Sequence, residues 1–294
     1  MDRAVKEKSC LKQNWIMNIK DQSFEYVFLG SSRAENMLDA GMVERQTGKR
    51  SLNIAVSGCG HEELHIILKI FLSNGNRFKY LFYQNDIYGF QNKAGVNYHF
   101  HDYAFLPYLY NDSVSAVFKD VVGGLKLWFW KYVPYSKYAE FNIWYPIKYL
   151  WSDNVCQYKY YDGFGSAILS ENNQGALGVE RLFVDTTFQK KYHFDAMALK
   201  YVKKNLKLAK DSNIKVITYT APEYMALYKT QINREEMNNK IDSLSESFGA
   251  KFFLFEDETI CYNDSLFVDY SHLNAEGTRA FTQLLIDSVV NKLE

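Results

Sequence analysis

The sequence has few cysteines, no excess of charge of either sign and no long apolar run. Its four cysteines, Cys10, Cys59, Cys156 and Cys261, are scattered over 294 residues and form no C-x-x-C pair. Zinc ribbons need cysteines paired at short spacing, and small secreted scaffolds need a high density of them. The cysteines therefore argue against both classes, and separate free or buried thiols are the simplest interpretation.

The charges balance. There are 34 Lys and Arg residues against 34 Asp and Glu residues, so the formal net charge is zero. Proteins that bind nucleic acid or an acidic membrane surface through bulk charge usually carry a basic excess, so the composition favours neither partner. Hydrophobic residues make up 47% and charged residues 23% of the chain, which is ordinary for a globular protein.

Apolar stretches are short, because Lys and Asp interrupt every segment that approaches the length of a bilayer span. The first 15 residues, MDRAVKEKSCLKQNW, contain no apolar core and do not resemble a signal peptide. A chain from which a leader or an anchor had been removed would begin in the same way. The compartment therefore stays open at this point.

Strand and helix signals alternate along most of the sequence. We predict strands at residues 25–29, 51–56, 80–84, 215–220 and 251–255, and helices at 33–46, 61–72, 194–211, 234–248 and 274–292. Strands that alternate with helices form right-handed βαβ units, which build a parallel sheet covered on both faces. Because such sheets bind ligands outside the carboxyl ends of their strands, we expect the chemistry in loops that follow strands.

Residues 91–193 interrupt this alternation and are dense in aromatic side chains. Four of the five tryptophans fall within this segment: Trp128, Trp130, Trp144 and Trp151. We predict an insertion or lid subdomain here, within a single domain that spans residues 1–294 and has its core at about 24–90 and 194–292. The rings either pack a subdomain core or form an exposed wall for glycans, acyl chains or a membrane interface.

The stretch FEYVFLGSSRAENML, residues 24–38, contains the most informative strand end. Gly30 stops an apolar strand, and the sequence from Ser32 to Glu35 matches the capping box S-x-x-E of a helix N-terminus. Ser32 is either the cap of this helix or a nucleophile displayed at a strand-to-helix turn. A nucleophilic serine needs a base, a group that orients the base, and donors for an oxyanion.

A base and its orienting group are available near the C-terminus, in FVDYSHLNAEGTRAF. Asp269 precedes His272 by three residues, so it can accept the Nδ1 proton and leave Nε2 free as a base. A polar loop in which Ser271 or Asn274 caps the last helix explains the same residues without any chemistry.

Donors for an oxyanion follow the second and third predicted strands. Gly58 lies in NIAVSGCG and can expose a backbone N–H, and Asn85 lies in YQNDIYG and can donate from its side-chain amide. With Gly-Ser-Ser in front and D-x-x-H behind, this ordered set resembles the SGNH (GDSL-type) hydrolase superfamily over about residues 24–90 and 194–292. The resemblance implies a three-layer, flavodoxin-like α/β domain with a central parallel sheet of about five strands.

The resemblance also implies a role for each residue. Ser32 matches the nucleophile, His272 the base and Asp269 its orienting carboxylate, while the N–H of Ser32, Gly58 and Asn85 match the oxyanion donors. The implied activity is a serine esterase or O-acyltransferase that needs no cofactor. Its substrate would be an O-acyl group of a carbohydrate or another small ester, and no nucleic acid is expected as a partner.

The sequence departs from the family pattern at Ser31, Arg33, Ala55 and Gln84. Starts of the form Gly-Ser-Ser-Arg resemble branches associated with acyl modification of cell-envelope polysaccharides. The compartment stays unknown, but such a branch favours the cell envelope over the cytoplasm if an N-terminal anchor has been removed. Membrane association would then occur only through a segment absent from this chain. Arg33 either binds an anionic group of the substrate or forms a salt bridge at the surface.

Two alternatives to a serine hydrolase stay open. The stretch HEELH satisfies the zinc-peptidase motif H-E-x-x-H, with His61 and His65 as ligands and Glu62 as base. It stands at the start of a short crossover helix, and a third ligand would have to come from Asp86, His99 or His101. The other alternative is a non-catalytic SGNH-like module for binding or assembly in the cell envelope.

Overall fold

The computed structural model describes residues 1–9, 11–90, 104–139, 144–151, 163–169 and 189–293. The chain divides into two compact units. The first, here called the aromatic unit, comprises Met1–Gln22, His65–Asn76 and Lys93–Lys159. The second, here called the sheet unit, comprises Ser23–Leu64, Arg77–Asn92 and Tyr160–Glu294. The single domain inferred from the sequence, with an insertion at 91–193, stays a prediction.

The sheet unit contains five parallel strands: β1 (Ser23–Leu29), β2 (Ser51–Asn53), β3 (Arg77–Gln84), β4 (Lys215–Thr220) and β5 (Lys251–Leu254). Their order is β2-β1-β3-β4-β5, and every neighbouring pair is parallel. This is the strand order of flavodoxin-like doubly wound sheets. The predicted α/β class and the sheet of about five strands are confirmed.

Thirteen helices are described: α1 (Asp2–Lys8), α2 (Lys12–Asn18), α3 (Ser32–Met37), α4 (Ala40–Thr47), α5 (His61–Ser73), α6 (Asp112–Val122), α7 (Gly124–Tyr132), α8 (Ser136–Ala139), α9 (Trp144–Leu150), α10 (Ala196–Asp211), α11 (Met225–Tyr228), α12 (Arg234–Ser247) and α13 (Ala275–Ser288). The helix predicted at 33–46 forms as two pieces, α3 and α4. The break falls at Asp39, whose carboxylate accepts a hydrogen bond from the N–H of Met42 at 2.9 Å. A short polar side chain that caps a new helix competes with continuation of the old one.

The second predicted strand is shorter than its apolar residues suggested. It ends at Asn53, whose side-chain oxygen accepts a hydrogen bond from the N–H of Ala55 at 3.0 Å. The Asn53 amide also donates to the carbonyl of Ala34 at 2.8 Å. An asparagine that binds the backbone two residues ahead forms a turn, so the strand stops although Ile54 and Val56 are apolar.

One face of the sheet packs against the C-terminal helix α13. Successive residues of a strand point to opposite faces, and Phe28, Phe82 and Tyr219 share the face that joins the largest buried cluster. The rings of Phe28 and Phe82 lie 5.0 Å apart, and the ring of Tyr219 lies 6.3 Å from that of Phe281 on α13. This contact fixes α13, and with it the loop before α13, at the sheet.

That loop forms a small antiparallel hairpin of two strands, β6 (Phe267–Asp269) and β7 (His272–Leu273), in which Asp269 pairs with His272. Asn274 follows and caps α13, because its side-chain oxygen accepts from the N–H of Gly277 at 3.0 Å. The predicted cap at Asn274 is therefore present together with the Asp269–His272 pair. A side chain at Gly277 would place its Cβ 2.3 Å from the carbonyl oxygen of Leu266, so the approach of hairpin and helix requires glycine here.

The aromatic unit holds some of its rings inside and presents others to solvent. Tyr138 is buried and donates to Asp2 at 2.6 Å, and Trp130 packs edge-on against Phe118 at 6.1 Å. Trp128, by contrast, is more than half exposed. No helix among the described residues combines the length and the apolar character needed to cross a bilayer.

Candidate active site

Ser32, His272 and Asp269 form a continuous hydrogen-bonded chain. The Oγ atom of Ser32 lies 2.8 Å from Nε2 of His272. On the other side of the ring, Nδ1 lies 2.9 Å from Oδ2 and 3.1 Å from Oδ1 of Asp269. An imidazole held in this way presents Nε2 to the serine as a proton acceptor, which is the arrangement of a Ser-His-Asp triad.

The turn from β1 into α3 displays Ser32, and it differs from the capping box inferred from the sequence. The helix begins at Ser32 itself, and its N-cap is Ser31, which makes no side-chain capping bond. The carboxylate of Glu35 instead accepts from the N–H and the hydroxyl of Ser57, at 2.6 and 2.5 Å. The capping box is therefore wrong, because Glu35 ties α3 to the loop after β2 and leaves the Ser32 hydroxyl for His272.

Gln84, the last residue of β3, also holds the turn between β1 and α3 in place. Its side-chain oxygen accepts from the N–H of Ser31 at 2.8 Å. A Cβ at Gly30 would lie 2.4 Å from that oxygen. Glycine at position 30 is thus the residue that lets β1 and β3 approach closely enough for this hydrogen bond.

The hairpin orients His272 through a dense set of bonds to Asp269. One carboxylate oxygen accepts from the backbone N–H groups of Ser271 and His272, at 2.7 and 2.9 Å, and from the Ser271 hydroxyl at 2.9 Å. Burial acts to raise the pKa of Asp269, but the bonds and charge of His272 and the bonds from Ser271 outweigh it and lower that pKa to about 2. Asp269 therefore stays ionised over the pH range in which most enzymes work, and it holds the imidazole of His272 in one orientation.

A cavity of about 700 Å³ opens above the triad, and both Ser32 and His272 line it. Aromatic and aliphatic side chains form much of its wall: Leu64, Tyr88, Tyr192, Leu227 and Tyr270. Lys190 lies at the rim, with its ammonium 4.7 Å from the ring centre of Tyr192. A cavity of this size, mostly apolar with a few placed polar groups, fits a small organic ligand.

Arg33 is buried, not at the surface, and protein groups already hold its guanidinium. It forms an ion pair with Asp86 at 2.9 Å and lies 3.7 Å from the carboxylate of Glu223. It also donates to the carbonyl oxygens of Ala221 and, at 2.9 Å, of Pro222, at the end of β4. The surface salt bridge suggested by the sequence is therefore wrong for Arg33, and its role in substrate binding stays a prediction.

The ion pair of Arg33 continues into a buried chain of charges beneath the cavity. Glu223 also pairs with Arg234, and Arg234 binds Glu256 through a second contact at 2.7 Å. Burial raises the pKa of Asp86, although Arg33, the N–H of Ala221 and the Gln84 amide act in the opposite direction. Unpaired charges are costly to bury, so these groups stabilise each other across the carboxyl ends of β3, β4 and β5.

Local sequence patterns do not predict this chain of charges. Asp86, Glu223, Arg234 and Glu256 come from four separate segments, and none belongs to a recognisable motif. Arg33 alone stands out in the sequence, because a charged residue is unusual so close to the end of an apolar strand. Its partners become visible only once the fold brings the strand ends together.

The two predicted oxyanion donors lie close in sequence to residues of the cavity, but neither is among the residues that line it. Gly58 is exposed and has a φ of +76°, which favours glycine. Asn85 is fully buried, and within the described part of the chain its side-chain nitrogen and oxygen have no hydrogen-bond partner. A buried amide without partners is uncommon and has bonding capacity for another group. The oxyanion role of both residues stays a prediction.

The described residues contain no complete set of zinc ligands around His61 and His65. His61 lines the cavity, and its Nδ1 lies 2.7 Å from the hydroxyl of Tyr83. No group of three His, Cys, Asp or Glu side chains in the described ranges is placed to hold a metal ion. His99 and His101, two of the three proposed third ligands, lie outside the described residues, so the site at His61 and His65 stays an untested alternative.

The chain has detectable similarity to a protein family and to a solved structure. Residues 156–289 match DUF1574, a family described as protein of unknown function, and this match spans less than half of the chain. No curated protein matches. A solved structure from Bacteroides fragilis, described as a "putative acylhydrolase", is similar at 10% identity and a TM-score of 0.43, with 93% of this chain and 88% of that chain covered.

Proposed function

We propose that the chain is an SGNH-type serine hydrolase or O-acyltransferase that acts on an O-acyl group of a carbohydrate or on another small ester. The observation that carries this proposal is the contact of 2.8 Å between Ser32 Oγ and His272 Nε2, on an imidazole whose Nδ1 binds Asp269. Base and nucleophile at hydrogen-bond distance, with a third group that orients the base, are the signature of an activated nucleophile.

In the first step His272 takes the proton of Ser32 as Oγ attacks the ester carbonyl. The carbonyl becomes a tetrahedral oxyanion, and the imidazolium then gives its proton to the departing alcohol oxygen. Asp269, ionised because its pKa lies near 2, stabilises the imidazolium without taking a proton itself. The acyl group remains on Ser32 as an ester.

The oxyanion would be held by the N–H of Ser32, the N–H of Gly58 and the side-chain amide of Asn85. Ser32 is the first residue of α3, so its N–H has no acceptor within the helix. The unpartnered amide of Asn85 supports its part in this set. Because that amide is inaccessible to solvent, its contact with a substrate requires a local rearrangement around Asn85.

In the second step a hydroxyl-bearing acceptor attacks the acyl-serine while His272 removes its proton. The bond between the acyl carbon and Ser32 Oγ then breaks, and His272 returns the proton to Oγ, which restores the free serine. Water as the acceptor makes the protein a hydrolase, and a sugar hydroxyl makes it an O-acyltransferase. The ring-rich wall formed by Tyr88, Tyr192 and Tyr270 supports a sugar in the cavity, because sugar rings pack against aromatic faces.

The test is labelling with a fluorophosphonate combined with hydrolysis of an aryl acetate. The wild-type protein should react with the reagent, and Ser32→Ala should lose both labelling and hydrolysis. Ser31→Ala is the matched control, because this serine lines the same cavity but its hydroxyl contacts Gln84 and not His272. The proposal would be wrong if the folded wild-type protein neither reacted with the fluorophosphonate nor hydrolysed the aryl acetate. Activity that survives in Ser32→Ala and disappears with a chelator would favour the zinc alternative.

A further inference from the structure

The helix α7 in the aromatic unit presents a stripe of large apolar side chains to solvent. Leu125 is 84% exposed, Trp128 55%, Phe129 48% and Tyr132 64%. Their spacing of three, four and seven residues places them on one face of the helix. The other side of α7 is buried through Leu127 and Trp130, so this helix is apolar on both its packed face and its open face.

The open face of α7 is unusual in composition, because its exposed side chains are large and apolar. A soluble surface normally carries single exposed apolar residues, and a cluster of them marks a site of interaction. Further large apolar residues of the same unit are also exposed: Tyr110, Tyr135, Trp144, Leu150 and Trp151. An exposed wall for glycans, acyl chains or a membrane interface would need aromatic rings at the surface. Such rings are present among the described residues.

The charged residues on α7 itself, Lys126 and Lys131, have one sign. Between residues 121 and 139 the sequence has three lysines and no Asp or Glu. Lys126 and Lys131 lie on α7 itself, on either side of the stripe, and both are partly exposed. Lys137, further along the chain, forms an ion pair with Asp2 at 2.7 Å. The ammonium groups of Lys126 and Lys131 lie 5.0 Å from the ring of Trp130 and 5.9 Å from the ring of Tyr110. Lysine side chains can lie with their methylene groups along an aromatic surface while the ammonium group stays in water at the edge of that surface.

We propose that the exposed face of α7, formed by Leu125, Trp128, Phe129 and Tyr132, binds the interfacial region of an anionic lipid bilayer. Trp and Tyr favour the level of the lipid headgroups, Leu and Phe enter the acyl boundary, and lysines pair with anionic headgroups. A glycan surface would not match Leu125, which offers neither a ring face nor a hydrogen bond. The attachment uses residues of this chain and needs no membrane-spanning segment.

Vesicle binding measures this attachment directly. The full chain is mixed with phosphatidylcholine vesicles that contain either no phosphatidylglycerol or about a quarter of it, and bound protein is separated by sedimentation. We expect binding to the anionic vesicles to be at least about tenfold tighter, since each lysine near the surface adds attraction. Tryptophan emission should shift to the blue on binding, because exposed rings enter a less polar layer.

Substitutions of exposed residues distinguish binding through this face from non-specific adsorption of apolar side chains to vesicles. Trp128→Ser with Phe129→Ser should weaken binding by about tenfold or more. Lys126→Glu with Lys131→Glu should remove the preference for anionic vesicles. The matched control is Ile232→Ser with Leu254→Ser, two apolar residues of the sheet unit with similar exposure, 56% and 48%. This control should bind as the wild type does.

Several outcomes would overturn the proposal. One is a folded wild type that does not bind anionic vesicles, and another is a Trp128→Ser/Phe129→Ser variant that binds them unchanged. A third is a dimer in analytical ultracentrifugation that this variant abolishes while vesicle binding is absent, because the face would then cover a second copy of the chain. The Ser32→Ala variant should bind vesicles like the wild type, so this result is independent of the proposed catalysis.

Discussion

Nε2 of His272 lies 2.8 Å from Oγ of Ser32, although 240 positions separate the two residues in the sequence. The β1–α3 turn supplies the serine, and the hairpin before α13 supplies the histidine. Aromatic packing between the sheet and α13 connects these two parts. The geometry of the candidate triad is therefore a property of the whole sheet unit, and its individual groups can be tested by substitution.

The carboxylate of Asp269 is expected to be essential for rate but not for folding. Asp269→Asn should lower kcat by about 10⁴-fold, because an amide no longer holds the imidazole in the reactive tautomer. Steady-state hydrolysis of an aryl acetate measures the effect, with circular dichroism as a check of the fold. Asp264→Asn is the control, because Asp264 is an exposed residue of the same loop. An Asp269→Asn variant within tenfold of the wild type would contradict the triad.

The same carboxylate makes stability depend on pH in the acid range. Its pKa falls from the ordinary value of 3.8 to about 2 on folding, so it contributes stability above about pH 4 and loses this contribution as pH falls towards 2. The shift corresponds to at most about 2 kcal/mol, and less after solvent screening of a partly exposed group. Urea unfolding of the wild type and of Asp269→Asn at pH 5, 4, 3 and 2 should show their difference shrinking in that window. A difference that stays constant would contradict the depressed pKa.

Arg234 should be the most sensitive position for stability in α12. Its replacement by Met leaves the buried carboxylates of Glu223 and Glu256 without their common partner, which should cost about 3–5 kcal/mol. Urea midpoints measure the loss. The matched control is Lys240→Met on the same helix, where the ion pair with Glu236 is exposed, and no measurable change is expected there. Equal effects of the two substitutions would mean that the buried chain of charges is not a stabilising unit.

Asn85 provides a test of the oxyanion site. If its amide donates to the oxyanion, Asn85→Ala should lower kcat by about 10²–10³-fold with little change in KM, because the bond is made in the transition state. Burial makes a stability loss possible as well, so urea unfolding is measured in parallel and kcat is compared at a temperature where both proteins are folded. An unchanged kcat would assign the oxyanion to backbone N–H groups alone.

Local patterns in the sequence predicted the sheet well, because each strand and helix of the sheet unit has its own periodicity. The pairing of Asp269 with His272 was also accessible, since both residues lie in one short loop. The role of Glu35 was not, because S-x-x-E describes a local bond while the actual partner, Ser57, comes from the next strand end. The buried partners of Arg33 were hidden for the same reason. Contacts between distant segments depend on strand order, which periodicity does not encode.

Asp269 and His272 pair directly with each other at the turn of the hairpin formed by β6 and β7. The candidate base and the carboxylate that would orient it therefore belong to one short segment of the chain. A displacement of this hairpin by a ligand or a neighbouring protein would separate both from Ser32 at once and leave their own contact intact. Under the proposed mechanism, separating the hairpin from the β1–α3 turn would therefore be enough to stop the reaction.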